Sequence, residues 1–312
     1  MTALEAVAAY LPQRRVPVED VARQLDLHPA KARVFRRYHG LAQICREDGG
    51  TLLDLLLAAA SRLGALRGRE HQVRYVLHAR IIPVVVPFPL NPLHELCGKL
   101  GLRPASAFAV THQACATGLL AVDIAGRLLA ADGDPDALAL VLAGEKAFTR
   151  TAQLLPQTSI FAEGASACLV SHGGQRDRLL AYASLARGEF DARPGEDPAL
   201  AARFQREFPE SFAEVIHAAL AKAGLKLADI SLILPHNVNV VAWKQLCATT
   251  GFPLRRVLLD NVPLIGHSFC ADPFINYQTA AQRGLLQPGE KYLIAAVGAG
   301  LGATFSAMVF EH

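Results

Sequence analysis

The sequence has little of several features that mark a function class directly. Its six cysteines in 312 residues are too sparse for a disulfide scaffold, and none are spaced as C-x-x-C, which argues against a zinc knuckle. No uninterrupted apolar run reaches the ~18–20 residues that span a bilayer. The opening segment contains Glu5 and lacks a basic start, so it is not typical of a secretory signal.

Charge is also in short supply. Charged residues make up 19% of the chain and the net charge is only +3, which is too little to indicate nucleic acid without a clustered basic patch. Apolar residues make up 52%, so there is ample material for a core and no case for disorder. We therefore expect a cytoplasmic α/β protein that binds neither nucleic acid nor membrane and holds no cofactor.

Helical and strand-like apolar periods alternate along the chain. Helices are predicted at Val18–Leu27, Thr51–Leu66, Ala116–Ala131, Phe204–Ala223 and Pro273–Arg283, with one more ending at Cys247. Strands are predicted at Val73–Leu77, Ser106–Thr111, Ala137–Ala143, Ala167–Ser171, Leu179–Leu185, Ile230–Leu234, Val257–Leu259, Tyr292–Val297 and Thr304–Phe310. Each half ends with two apolar strands around a connection that contains glycine. We therefore expect two halves, 1–175 and 176–312.

The most specific local feature is the segment Thr111–Gly118, where Cys115 stands between an apolar strand and a helix of small residues. A helix N-terminus offers unpaired N–H groups and partial positive charge, which favour the thiolate form of cysteine. A lone cysteine is more commonly an inert buried thiol. Position alone therefore leaves both interpretations open.

Two histidines in the second half favour the catalytic interpretation. His236 stands just past a strand, and His267 precedes Asp272 by five residues. Side chains at strand ends of a layered α/β sheet gather at one crevice. A metal site made of these three residues is the weaker alternative. The glycine-containing segment 298–302 precedes a strand rather than opening a helix, which argues against dinucleotide binding.

Several motifs in order resemble the ketosynthase III-type (3-oxoacyl-ACP synthase III-type) members of the thiolase-fold superfamily. The Cys115 segment is similar to the family's nucleophile turn. Residues 160–165 are similar to its FGDGAGA strand approach, with Glu163 for the acid, and residues 236–239 to its HQAN. Tyr10–Pro12 resembles its N-terminal start, and the Gly298 loop its C-terminal end, so the likeness spans nearly all of the chain.

The resemblance implies an α/β fold, a five-layered αβαβα sandwich that is usually a homodimer and takes an acyl group from a thioester onto Cys115. It implies an oxyanion hole formed by the backbone of Cys115, Ala299 and Gly300, and a His236 that hydrogen-bonds a carbonyl or moves a proton. A phenylalanine crosses the dimer interface of relatives at the position of Phe88. The expected substrate-binding residues are Phe88, His112, Phe161, Asn239 and Phe269.

One departure from the family pattern bears on the expected reaction. Condensing relatives carry asparagine after a glycine where this sequence has His267 after Gly266. An asparagine amide always donates, whereas histidine is a base near neutral pH, and Asp272 would orient an imidazole as in triads. We therefore predict an acyltransferase in specialised metabolite biosynthesis that transfers to a hydroxyl or amine of a small-molecule acceptor. Its catalytic residues would be Cys115, His236, His267 and Asp272.

Two other functions stay open at this point. The same cysteine would serve a decarboxylative 3-oxoacyl synthase that joins carbon to carbon with a malonyl-type thioester, because a donating His267 would still support condensation. The chain would otherwise be a non-catalytic subunit of a heteromeric synthase. Retention of both Cys115 and His236 counts against that second alternative.

The acyl donor stays open between a CoA thioester and an acyl carrier protein. Val240 and Val241 replace an arginine of the family's HQAN helix, and Trp243, the only tryptophan, does not match the N-terminal tryptophan that clamps coenzyme A in relatives. A carrier protein would dock its acidic helices onto basic side chains. The candidates are Arg33, Arg36, Arg37 and Lys244, and an ordinary solvated helix face is the alternative interpretation.

Overall fold

The computed structural model describes residues 1–191, 197–299 and 302–312. Its strands are β1 (Thr2–Tyr10), β2 (Arg15–Pro17), β3 (Gln43–Cys45), β4 (Val73–Ala79), β5 (Ser106–Val110), β6 (Leu138–Glu145), β7 (Leu154–Leu155), β8 (Ser159–Ile160), β9 (Gly164–His172), β10 (Arg178–Arg187), β11 (Ile230–Pro235), β12 (Lys291–Ala299) and β13 (Ala303–Glu311). Its α-helices are α1 (Val18–Gln24), α2 (Pro29–Arg37), α3 (Leu52–Ala60), α4 (Pro92–Lys99), α5 (Thr117–Asp132), α6 (Arg150–Gln153), α7 (Pro198–Ala223), α8 (Val240–Thr250), α9 (Val262–Ile265) and α10 (Asp272–Gln282).

The main strands form two groups that meet at one residue pair. The first group has the order β5-β4-β6-β9-β1 and the second the order β10-β13-β12-β11. β1 and β10 are joined only through Ala3 and Arg178. Each group contains a long antiparallel pair of apolar strands, β6 with β9 and β12 with β13, as the sequence predicts.

Helices cover both groups of strands on both faces, which gives the five layers. α3 and α4 pack on the outer face of the first group through Leu56 and Leu96. α7 and α8 pack on the outer face of the second through Phe212 and Trp243. α5 and α10 form the central layer between the strand groups, where Phe274 is fully buried. The expected αβαβα sandwich is confirmed.

The central helix α5 needs small residues because β1 and the turn before α10 lie very close to it. A Cβ on Gly126 would lie 1.9 Å from Oγ1 of Thr2, and one on Gly118 would lie 2.8 Å from the carbonyl oxygen of Cys270. The helical stretch Ala114–Asp132 is long and apolar enough to cross a membrane, but most of it is buried inside the protein. Its composition is that of a helix enclosed by other layers.

The predicted secondary structure is largely confirmed, with exceptions that packing explains. Val257–Leu259 is not a strand, because Val257 makes a single bridge to Ile233 after a 3-10 turn. β1 was not predicted, since its alanines and Glu5 have little intrinsic strand preference. It forms because β9 and the central helices bury it, and such context overrides propensity. Helices α2 and α4 were also missed.

Gly298 fixes how closely the second half approaches the nucleophile segment of the first. A Cβ at this position would lie 2.1 Å from the carbonyl oxygen of Gln113 and 2.8 Å from Cβ of Ala114. The end of β12 therefore packs directly on the turn that carries Cys115. Only glycine allows this approach without moving one of the two backbones.

We expect Gly298→Ala to lower the free energy of unfolding by about 1–3 kcal/mol, the usual cost of overpacking, and to slow alkylation of Cys115 because the turn is displaced. Urea titration and iodoacetamide labelling measure the two effects. Gly64→Ala is the matched control, because nothing lies within 4 Å of its added Cβ. A Gly298→Ala protein as stable and as reactive as the Gly64→Ala protein would contradict this account.

Candidate active site

Cys115 is presented by a strained turn between β5 and α5. His112 has φ 73° and Ala114 has φ 44°, a left-handed conformation that non-glycine residues adopt at a cost. The hydroxyl of Thr117 donates to the carbonyl of Ala114 at 2.7 Å and accepts from the backbone N–H of Gln113 at 3.3 Å. Cys115 is therefore held at the start of the helix, with 5% of its surface exposed.

Three of the predicted catalytic side chains form a chain of two hydrogen-bonded contacts. Sγ of Cys115 is 3.0 Å from Nε2 of His267, and Nδ1 of His267 is 2.5 Å from Oδ2 of Asp272. His267 and Asp272 are fully buried. The two halves of the chain therefore assemble a Cys–His–Asp triad across 152 residues of sequence.

Both oxygens of Asp272 are held by further donors, so its position is fixed. Oδ1 accepts the backbone N–H of Ser268 at 2.7 Å, and Oδ2 accepts that of Asn237 at 2.6 Å. The amide oxygen of Asn237 accepts from Asn276 at 2.8 Å, and the amide oxygen of Asn276 accepts from Asn261 at 2.7 Å. The sequence does not predict this buried asparagine network, because isolated asparagines carry no motif.

The charges around His267 favour its imidazolium form. Burial alone would lower the pKa of His267, but the negative charges of Cys115 and Asp272 and their hydrogen bonds outweigh it and raise the pKa to about 10. A cation held between two anions is the arrangement in which opposite charges favour the ionised forms. His267 is therefore the proton-carrying group of the site.

His236 lies beside the triad but not within it. Its ring centroid is 6.2 Å from that of His267 and 5.4 Å from that of Trp243, and the indole N–H of Trp243 donates to the His236 carbonyl at 3.0 Å. Burial, together with the charge on His267, lowers the pKa of His236 to about 3. The ring is therefore neutral. Its Nδ1 has no hydrogen-bond partner in the described part of the chain.

Phe161 and Phe269 form an aromatic wall against the triad. Phe161 stacks on His267 with ring centroids 4.9 Å apart, and Phe269 stacks on Phe161 at 4.3 Å. Both rings belong to one apolar cluster with Cys115 and Ala147. The two predicted substrate contacts are thus brought to the sulfur.

The remaining predicted contacts lie elsewhere or have other partners. Asn239 caps α8 through Ala242 and donates to the carbonyl of Thr158, so its side chain also has a structural role. His112 pairs with the neighbouring Thr111. Phe88 is 98% exposed on the loop between β4 and α4 and does not reach the site of its own subunit.

The expected oxyanion hole falls partly within the described residues. Ala299 ends β12 directly after Gly298, which contacts the nucleophile turn. Gly300 lies outside the described residues. No three His, Cys, Asp or Glu side chains are grouped as metal ligands in residues 1–191, 197–299 and 302–312.

Glu145 is a further buried carboxyl near the triad, and no motif in the sequence predicts it. It is fully buried at the end of β6 and accepts the backbone N–H groups of Ile81 at 2.8 Å and Ile82 at 2.7 Å. Burial raises its pKa to about 7, against the effect of those hydrogen bonds and of the charges on Arg80 and His267. The sequence feature that could have pointed to it is a glutamate at the end of an apolar strand.

The raised pKa of His267 predicts a loss of stability in alkali. The usual pKa of 6.5 becomes about 10 in the folded protein. The contribution of the charged ring to stability is therefore complete below pH 6.5 and is lost as the pH rises through about 10. Because the unfolded thiol also keeps its proton up to about pH 8.5, we expect the free energy of unfolding to fall mainly between about pH 8.5 and about pH 10, by up to about 2 kcal/mol more than in His267→Asn. Urea titration measures it.

Cys115→Ala serves as the second variant, because removing the thiolate should abolish most of the same alkaline loss. The absolute stabilities of the variants do not matter for this comparison, since only the pH slopes are compared. Parallel slopes for the unmodified chain and both variants would contradict the ion pair.

Comparison with known proteins finds similar sequences and a similar fold. Residues 220–312 match the family described as 3-oxoacyl-[acyl-carrier-protein (ACP)] synthase III C terminal. The beta-ketoacyl-[acyl-carrier-protein] synthase III 3 of Streptomyces coelicolor is 27% identical, over 96% of this chain and 94% of its own length.

Two solved structures share the fold. The 3-oxoacyl-[acyl-carrier-protein] synthase III of Aquifex aeolicus superposes with TM-score 0.82 at 22% identity, covering 100% of both chains. The acyltransferase ChlB3 superposes with TM-score 0.84 at 22% identity, covering 99% of this chain and 97% of its own. Identities this low speak for the fold alone. Together with the sequence matches, they show that this chain has the thiolase fold and is similar to ketosynthase III proteins.

Proposed function

We propose that this protein is a cysteine acyltransferase, which moves an acyl group from a thioester to Cys115 and then to a hydroxyl or amine. The observation that carries the proposal is the alignment of Sγ, imidazole and carboxylate, at 3.0 Å and 2.5 Å. This is the arrangement in which a histidine shuttles protons for a nucleophile and a carboxylate orients the histidine.

In the first half-reaction, the Cys115 thiolate attacks the thioester carbonyl carbon. The carbonyl oxygen becomes an oxyanion, for which the backbone N–H groups of Cys115 and the Ala299–Gly300 segment are the proposed donors. The bond from carbon to the donor sulfur then breaks, and Nε2–H of His267 gives its proton to the departing thiol. The products are the acylated Cys115 and a neutral His267.

In the second half-reaction, the tautomer of His267 decides the chemistry. Asp272 holds the proton on Nδ1, so Nε2 of the neutral ring carries a lone pair and accepts rather than donates. Acylation also removes the thiolate charge that contributes to the high pKa. Nε2 takes the proton of the acceptor as its oxygen or nitrogen attacks, and the Cys115 thiolate leaves.

We assign a hydrogen-bonding role to His236. Its pKa of about 3 keeps the ring neutral at working pH, so it is a poor proton acceptor. The unpartnered Nδ1 and the distance from His267 favour a contact with the acyl carbonyl or the acceptor. We also propose that the protein acts in specialised metabolite biosynthesis in the cytoplasm, where its six free thiols would stay reduced.

We propose a carrier protein as the immediate donor. Trp243 is fully buried, so the single tryptophan is not available to clamp a nucleotide. Arg33, Arg37 and Lys244 are exposed on α2 and α8, whose ends are joined by a hydrogen bond from the Val240 N–H to the His39 carbonyl. Arg36 is already paired with Glu19, so it contributes less charge to such a surface.

Decarboxylative condensation remains the second candidate, favoured by the neutral, unpartnered His236 beside the triad. A donor at that position would suit the carbonyl of a malonyl thioester. The condensing pattern, however, needs a second fixed donor where this chain has His267, and Asp272 leaves its Nε2 as an acceptor in the acylated enzyme.

Intact-mass analysis with acetyl- and malonyl-thioesters of CoA and of a carrier protein tests the function. We expect an acyl mass on the unmodified chain that Cys115→Ala abolishes, release of the acyl group by alcohols or amines, and no carbon dioxide from malonyl donors. His267→Asn should slow release to the acceptor by roughly 10²–10⁴-fold, as loss of a general base does. Carbon dioxide with a 3-oxo product would establish condensation. If the acyl mass is still gained by Cys115→Ala, or if the unmodified chain gains no acyl mass, the result would favour a non-catalytic binding subunit.

We also propose that the chain forms a homodimer through the edge strand β5 and the loop that precedes α4. Phe108 on β5 is 37% exposed, and Val84, Phe88 and Leu90 on the loop are 77%, 98% and 66% exposed. A second copy would cover this apolar surface, which a lone soluble chain rarely leaves open, and would pair the free sheet edge.

We expect Phe88→Asp to shift the protein toward monomer in sedimentation equilibrium, because the charge would be buried at the contact. Leu285→Asp is the matched control, since Leu285 is also exposed, at 42%, but lies in the turn after α10. A Phe88→Asp protein that sediments as the unmodified chain does would rule out this surface.

A further inference from the structure

We propose that Glu145 is a positioning residue for acyl transfer, which holds the backbone of Ile81 and Ile82 in place beside Cys115. Glu145 itself takes no part in the two half-reactions. The inference rests on the proposed function only in naming acyl transfer as the reaction. It does not depend on which acceptor follows or on whether carbon dioxide is lost.

Glu145 joins the end of β6 to the beginning of the loop 80–91, which connects β4 to α4. Its two carboxylate oxygens accept separate hydrogen bonds, from the Ile81 N–H at 2.8 Å and from the Ile82 N–H at 2.7 Å. Two neighbouring N–H groups that point to one side chain need two acceptor atoms. A carboxylate provides both, whereas an amide of the same length provides only one.

The beginning of this loop also lies against the reacting sulfur. The Ile81 side chain packs on the apolar cluster that contains Cys115. The preceding N–H, that of Arg80, donates to the carbonyl of Val110 at 3.1 Å, where β5 ends before the nucleophile turn. Displacement of Ile81 would therefore disturb both the cluster around the sulfur and the strand that leads into the turn.

The charge of Glu145 opposes folding, which a purely structural side chain would avoid. The residue is fully buried, and burial raises its pKa to about 7 although its two hydrogen bonds and the charges on Arg80 and His267 act in the opposite direction. An uncharged side chain would not carry this desolvation penalty. A buried ionisable group beside a reacting site, kept at the expense of stability, is typical of a functional residue.

The experiment compares the unmodified chain with Glu145→Gln, which keeps the length of the side chain but lacks the second acceptor. Two rates are measured at mildly alkaline pH, the alkylation of Cys115 by iodoacetamide and the gain of acetyl mass from acetyl-N-acetylcysteamine. We expect both rates to fall by about 10–100-fold, since misplacement of a reacting group by about 1 Å can cost 100-fold. Urea titration gives the folded fraction of each protein.

Asp177→Asn is the matched control, because Asp177 is also a fully buried carboxylate with several hydrogen bonds. Its partners are the hydroxyls of Tyr277 and Tyr292 and Nδ1 of His312. Tyr292 lies near the start of β12, at the opposite end of the strand from Gly298. We expect Asp177→Asn to be less stable to urea but to keep both rates per folded molecule.

The pH profile separates a positioning role from general support of the fold. Protonation turns one acceptor oxygen of Glu145 into a donor. Between about pH 6 and about pH 8, acetyl loading of the unmodified chain should therefore rise as Glu145 ionises, and Glu145→Gln should lack this step. A step that is identical in the two proteins would contradict the proposal.

Other groups near Glu145 do not titrate in this range. The charged and titratable residues on the surrounding elements are Arg80, His78, Cys270, His267, Lys146 and Glu163. Lys146 and Glu163 are paired with each other at 3.2 Å. Burial lowers the pKa of His78 to about 4 and raises that of Cys270 well above its usual value, and the pKa of His267 is about 10.

Glu145→Asp is the second variant, and it replaces the glutamine variant if that protein does not fold. Aspartate keeps the charge but is one methylene shorter, so its carboxylate would reach at most one of the two N–H groups. We expect a loss of both rates smaller than that in Glu145→Gln, with the pH step retained.

The two proposals fail in different ways. A folded Glu145→Gln protein with the rates of the unmodified chain, or an Asp177→Asn protein slowed as much as Glu145→Gln, would overturn the positioning role while leaving acyl transfer standing. Absence of acetyl mass on the unmodified chain, with alkylation of Cys115 still slowed in Glu145→Gln, would overturn the proposed function and leave the positioning of the thiol standing.

Discussion

The site depends on one buried cation held between two anions. Nε2 of His267 lies 3.0 Å from Sγ of Cys115, and Nδ1 lies 2.5 Å from Oδ2 of Asp272. Asp272 is fixed by the backbone of Ser268 and Asn237. Burying an ion is expensive unless it is paired and hydrogen-bonded, so removal of one anion would leave the other two groups unbalanced.

The layered fold supplies the rigidity that this pairing requires. The nucleophile turn belongs to the first half and the imidazole and carboxylate to the second, so their alignment depends on how the halves pack. Gly298 lets β12 touch the backbone of Gln113, and Gly118 lets the start of α5 touch that of Cys270. Left-handed backbone at Ala114 and Phe269 adds strain at the site, which the closely packed core around it overcomes.

The sequence indicated which residues belong to the site, but not which histidine contacts both Cys115 and Asp272. Cys115 and Asp272 stood in recognisable positions, and the replacement of asparagine by His267 pointed to a base. The sequence could not separate His236 from His267, because a five-residue spacing to Asp272 does not show which ring the carboxylate touches. The network of Asn237, Asn276 and Asn261 was invisible, since it depends on three elements meeting. The N-cap role of Asn239 was not predicted, because an N-cap and a ligand contact use the same side chain.

The most direct test of the central claim is the protonation state of His267, read from ¹⁵N resonances of labelled imidazoles, with His267→Asn and His236→Asn used for assignment. We predict that both nitrogens of His267 carry protons at neutral pH, that Nε2 loses its proton once iodoacetamide caps Cys115, and that His236 stays neutral throughout. A His267 with a single proton before capping, or a charged His236, would contradict the account.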